Sequence, residues 1–141
     1  MKQRGINIIE VMITIAILAI LLAISVPLYN NYVDRKKLDT ALHQVEADLR
    51  KAQSLAKASG KPYTVDFTQN SSAYQIHNSS SISASLENGV VSKNTVSVTF
   101  NPAYSTSEIS SSSTITVVLK SPRGAEGSVL VSPAGKITIT P

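Results

Sequence analysis

Hydrophobic positions fall into three regimes along this chain. From Ile6 to Val26, 21 residues are interrupted only by Asn7, Glu10, Thr14 and Ser25. A helix of that length, rising about 1.5 Å per residue, spans the roughly 30 Å hydrocarbon layer of a bilayer. Beyond Pro27 the apolar residues thin into a stripe. Leu38, Leu42, Val45, Leu49, Ala52 and Ala56 recur at spacings of 4, 3, 4, 3 and 4, while Asp39, Glu46, Asp48, Arg50, Lys51 and Lys57 occupy other faces. This spacing predicts an amphipathic helix that packs on a sheet. Gly60 followed by Lys61 and Pro62 supplies the stop, because glycine accepts the left-handed cap conformation and proline cannot continue the hydrogen-bond ladder. A helix from Ile6 to Ser59, bent at Pro27, would be about 80 Å long, more than a compact domain of this size contains.

The third regime alternates with period two. Tyr63 to Phe67, Tyr74 to His77, Thr95 to Phe100, Thr114 to Leu119, Ser128 to Val131 and Lys136 to Thr140 are rich in Val, Ile, Thr and aromatics and predict strands. The serine-rich stretches Ser79 to Ser85 and Ser105 to Ser113 lack bulky apolar residues and read as surface loops or edges. The pattern therefore predicts an α+β fold, with one long N-terminal helix whose apolar first half is exposed and whose second half packs on an antiparallel β-sheet.

Composition changes this picture little. With 141 residues there is room for one modest domain and an appendage, and the 43% hydrophobic content is concentrated in the first 29 residues. The net charge of +4 includes Lys2 and Arg4, so a chain beginning at Ile6 keeps 11 Lys and Arg against 9 Asp and Glu, which is a weak nucleic-acid footprint. The absence of cysteine excludes disulfides, thiolate nucleophiles and thiolate metal sites. His43 and His77 have no carboxylate pair at metal-ligand spacing, and neither a Gly-x-Ser-x-Gly elbow nor a glycine-rich phosphate loop occurs. No enzymatic activity, metal or cofactor is expected.

Orientation of the apolar segment is not fixed by its flanks, since Lys2 and Arg4 precede it and Arg35, Lys36 and Lys37 follow it. Three processing routes fit a basic start and an apolar run. In a secretory signal peptide, Val11 to Leu22 would form the core and Ala23-Ile24-Ser25 the cleavage site, giving a mature start at Val26. A plain single-pass anchor would keep its leader. Neither explains Glu10, whose carboxylate costs about 2.5–3.5 kcal/mol inside a bilayer and so marks function.

The third route rests on Lys2-Gln3-Arg4-Gly5-Ile6-Asn7-Ile8-Ile9-Glu10-Val11-Met12, which resembles the prepilin signature of the type IV pilin and type II secretion pseudopilin family: a short basic leader ending in Gly, then an apolar segment with Glu as its fifth residue. The resemblance implies a pilin-like fold divided into a cleaved leader at 1–5, a transmembrane or filament-core half-helix at 6–29, an amphipathic half-helix at 30–60 and a β-rich head at 61–141. It implies cleavage between Gly5 and Ile6 by prepilin peptidase, N-methylation of Ile6, and pairing of Glu10 with the terminal amine of a neighbouring subunit to fix register. Its implied partners are the peptidase, other pilin subunits, an inner-membrane assembly platform and, before assembly, membrane lipid. The implied location is the bacterial inner membrane as a single pass with a periplasmic head, then a pilus or pseudopilus. Pro27 would kink the helix. The family commonly has Phe where Ile6 stands, Thr where Asn7 stands and Gly near Ala19.

Within that family, Asn101-Pro102, the ending Val131 to Ile139, and Leu49 to Ala56 followed by Gly60 to Val65 look most like the GspH/FimT minor pseudopilins rather than a major pilin. FimT-type subunits of competence pili bind DNA through a C-terminal Gly-Arg-x-Arg hairpin. Here Gly135-Lys136-Ile137-Thr138 keeps half of the basic pair. A DNA contact would use Lys136 with Arg123, Lys120 and Lys61.

Overall fold

The computed structural model describes residues 8–78, 81–102 and 113–140. The leader, Gly5 and Ile6, the first two residues of Ser79 to Ser85 and most of Ser105 to Ser113 lie outside the described residues. The chain divides into two units, Met1–Val33 and Asp34–Pro141. One helix, α1 (Ile8–Ser59), runs through Pro27 and contributes to both.

In the second unit the helical stripe is buried as its spacing predicts. Leu38, Leu42, Val45, Leu49, Ala52 and Ala56 are all inaccessible, and Asp34 and Ala41 join them on the same face. The helix ends where Gly60 adopts φ +64° and its N–H donates to the Ala56 carbonyl at 3.1 Å. This left-handed cap satisfies a carbonyl that the end of the helix would otherwise leave open.

Eight strands follow: β1 (Tyr63–Phe67), β2 (Ala73–His77), β3 (Ser81–Ser85), β4 (Val91–Ser92), β5 (Val96–Phe100), β6 (Ile115–Lys120), β7 (Glu126–Val131) and β8 (Ile137–Thr140). Where the sequence suggests one sheet there are two, both antiparallel, with orders β3-β2-β1-β5 and β4-β6-β7-β8. Alternation puts Val65, Phe67, Tyr74, Ile76, Val98 and Phe100 of the first sheet into the core, and Val117, Leu119, Val129, Val131 and Ile137 of the second. One core cluster includes these residues and the helical stripe.

Two polar devices join the sheets. Just before β5, the Asn94 side chain donates to the Thr116 carbonyl at 2.8 Å and accepts from the Val118 N–H at 3.0 Å, beside the backbone bond from the Lys93 N–H to the Val118 carbonyl at 2.7 Å, and so ties the start of the first sheet's β5 to β6 of the second. On the other side of β4, the Asn70 N–H donates to the Ser92 carbonyl at 2.8 Å and the Ser92 N–H to the Ser71 carbonyl at 3.0 Å, which ties the β1–β2 turn of the first sheet to the second.

The helix approaches β7 closely. A Cβ placed on Gly127 would lie 2.7 Å from Leu42 Cδ1, so only glycine permits this contact without displacement.

Candidate functional site

The first unit contains the predicted membrane or filament segment. From Ile8 to Leu28 every residue of α1 is exposed, on all sides of the helix rather than along one stripe. Its described part is long and apolar enough to cross a membrane, and none of that window is buried. Among the described residues this apolar surface is unburied on every side of the helix, and lipid or other protein chains are the surroundings that would bury such a surface.

Glu10 is the one charged residue between Ile8 and Leu28. It stands in the first turn of α1, exposed and without an ion pair among the described residues. The Thr14 hydroxyl donates to the Val11 carbonyl at 2.8 Å, so it needs no external partner. Pro27 leaves the Ala23 carbonyl without its regular partner, because proline lacks an N–H, yet α1 continues through it.

The four basic residues named as DNA contacts are all exposed, but the fold does not gather them. Lys120 and Arg123 stand at the β6–β7 turn, where Lys120 pairs with Glu126 across the ladder. Lys136 stands at the β7–β8 turn, held to the helix by the Gln53 side chain, which donates to the Gly135 carbonyl at 2.9 Å. These turns flank β7 at opposite ends, about 17 Å apart at the usual strand rise. Lys61 follows the C-terminal end of α1.

Two buried polar contacts have no local sequence signal. The Ser121 hydroxyl donates to Asp34 Oδ2 at 2.5 Å, with Asp34 6% and Ser121 2% exposed, and the same hydroxyl accepts from the Ala125 N–H at 3.0 Å. This pins the β6–β7 turn to the first helical turn of the second unit. Farther along, the Tyr74 hydroxyl donates to Asp48, and Gln44 reaches both the Tyr74 hydroxyl at 3.4 Å and the Ser85 carbonyl at 2.9 Å. Burial, reinforced by the hydrogen bond to the Asp48 carboxylate, raises the Tyr74 pKa well above the ordinary phenol value. On the exposed helix face Arg50 donates to Glu46, and this bond holds the Glu46 pKa below its usual value. None of these contacts forms a catalytic constellation, and the described residues hold no group of three or more His, Cys, Asp and Glu placed to bind a metal.

No protein-family model matches the chain. Over 74 residues, 52% of this chain and 47% of the relative, it is 36% identical to a fimbrial protein of Pseudomonas aeruginosa. Over 68 residues it is 35% identical to fimbrial protein EcpB of Eikenella corrodens, covering 48% of this chain and 42% of EcpB. The chain thus spans less than half the length of the curated relatives it matches. Two crystal structures of the type IV minor pilin FimU from P. aeruginosa superpose with TM-scores of 0.55 and 0.57 at 19% identity, covering 74% and 78% of this chain and 93% and 92% of FimU. At that identity the superposition speaks for the fold, and the fimbrial proteins carry the likeness in sequence. One long N-terminal helix packed on antiparallel sheet, together with that likeness, makes this chain type IV pilin-like, with the fold of a minor pilin.

Proposed function

We propose that this chain is a structural subunit of a type IV pilus or type II secretion pseudopilus, made with a five-residue leader and assembled through its N-terminal helix. The observation that carries the proposal is the unburied apolar stretch of α1 on a chain with the pilin fold. That surface requires a solvent other than water, first lipid and then the equivalent segments of other subunits. Prepilin peptidase would cut between Gly5 and Ile6 at the inner membrane and methylate Ile6, leaving the head in the periplasm.

In the filament, Glu10 would pair with the amine of a neighbour's Ile6. Two charges that are each unfavourable alone in an apolar bundle become acceptable only in register, so the pair selects one axial offset. Pro27 would let the helix bend as it leaves the membrane.

Two measurements test this reading. Terminal sequencing of the mature protein should begin at methylated Ile6; a start at Val26 would identify a secretory signal peptide, and retention of Met1 a plain anchor. Glu10→Ala should be cleaved normally yet enter filaments poorly, and filament yield equal to wild type would remove the registration role.

A further inference from the structure

The end of the head at which α1 enters carries a cationic surface. The Asp34–Ser121 hydrogen bond brings the β6–β7 turn, with Lys120 and Arg123, against the helical turn that carries Arg35 and Lys37. Leu38 and Leu42, next along the same helix face, pack at Gly127 just after that turn, so the juxtaposition is fixed by core contacts as well as by the bond. Lys37, three residues after Asp34, is on the face that meets the turn.

The carboxylates nearby are already engaged. Asp34 is buried and accepts from Ser121, Asp39 pairs with Lys36 at 3.6 Å, and Glu126 pairs with Lys93 at 2.7 Å. Glu87 is the remaining one, in the loop whose Gly89 lies against Pro122. Arg35, Lys37, Lys120 and Arg123 make no ion pair among the described residues, so at this end free cations outnumber free carboxylates by four to one.

The order of residues leading to this surface matches the profile of a membrane boundary. The apolar run ends at Leu28, Tyr29 and Tyr32 follow with 68% and 59% exposure, and Arg35 comes three residues later. Hydrocarbon, amphipathic aromatic and cation is the sequence that a bilayer presents as acyl core, interface and headgroup.

We propose that Arg35, Lys37, Lys120 and Arg123 form a docking surface for anionic phospholipid headgroups, which holds the head against the membrane while the subunit waits for assembly. The inference rests on the membrane-anchored reading above and adds the lipid class. It also gives Lys120 and Arg123 a partner different from nucleic acid.

The test uses the full chain in phosphatidylcholine vesicles with and without phosphatidylglycerol. Because the protein has no cysteine, a single fluorophore can be placed by Pro122→Cys at the docking end or by Ala134→Cys at the β7–β8 turn. Quenching by a headgroup-attached quencher should rise several-fold with phosphatidylglycerol for the first label only, and should vanish at high salt. Lys120→Ala and Arg123→Ala should each weaken the docked state about five-fold, the usual effect of one basic residue near an anionic surface, whereas Lys136→Ala should have no effect.

Flotation with the vesicles is read first. A chain that floats with neither lipid overturns the membrane anchor, whereas one that floats with both but shows no lipid-dependent quenching overturns this inference alone. Tighter capture of duplex DNA than of phosphatidylglycerol by the same four residues would also overturn it.

Discussion

The two stretches of α1 use the same residue types to opposite ends. Ile17, Leu21 and Leu22 are more than half exposed, whereas Leu42, Val45 and Leu49 are sealed completely. The difference is in the pattern rather than the hydrophobicity. A stripe with charged residues on its other faces finds a sheet within the chain, while a segment apolar on every side cannot be covered by a head that meets a helix along one face. The head therefore owes its stability to the stripe, and the apolar segment is the part proposed above to associate with lipid and with other subunits.

The sharpest way to break this comparison is to place one charge in each stretch. Val45→Asp should abolish cooperative unfolding of the head, because it buries an unpaired carboxylate in the core. Ile17→Asp should leave the head's melting transition unchanged and abolish flotation with vesicles. Truncation gives a graded version: Leu49→Ala should cost about 2–5 kcal/mol in denaturant unfolding, and Leu21→Ala less than about 0.5 kcal/mol.

Overfilling probes the helix–sheet contact itself. Gly127→Ala should destabilise the head by about 1–3 kcal/mol, since the added methyl must displace Leu42, and Leu42→Ala in the same chain should recover part of that loss in a double-mutant cycle.

The smallest effect is confined to alkaline solution. The folded pKa of Tyr74 lies above that of the unfolded chain, near 10. Stability from this group is therefore complete below about pH 10 and falls above it, by at most about 1.4 kcal/mol per pH unit, as the unfolded state loses the proton more readily. Tyr74→Phe should flatten that decline in denaturation midpoints measured across the range.

What was legible in the sequence was what repeats. All six stripe positions are buried, Gly60 caps the helix, and six of the eight strands occur within two residues of where alternation suggests. The two remaining strands, β3 and β4, are the ones with least side-chain signal. β3 is an edge strand, Ser81 to Ser85, paired to β2 through its backbone with Ile82 half-exposed, so a serine-rich edge was recognisable while its pairing was not. β4 has two residues, and beyond it the contact with β6 is continued by the Lys93 N–H to the Val118 carbonyl and by the Asn94 side chain. The Asp34–Ser121 bond joins positions 87 residues apart. Its only trace is that Asp34 stands four residues before Leu38, in register with the stripe, where an acidic residue needs a buried partner. The basic residues are divided between the two hairpin ends for a related reason: their number is visible in the sequence, but which hairpin end each occupies depends on topology.

That Asp34–Ser121 bond also determines how the head would bear a pull. Force applied through the N-terminal segment reaches the head at Asp34, where it meets first a short hydrogen bond and then Leu38 and Leu42 seated at Gly127. Tension along the helix axis must shear these contacts together before any strand can peel away. The head is thus latched where the load enters, and Ser121→Ala should lower the force at which the helix slips from the sheet.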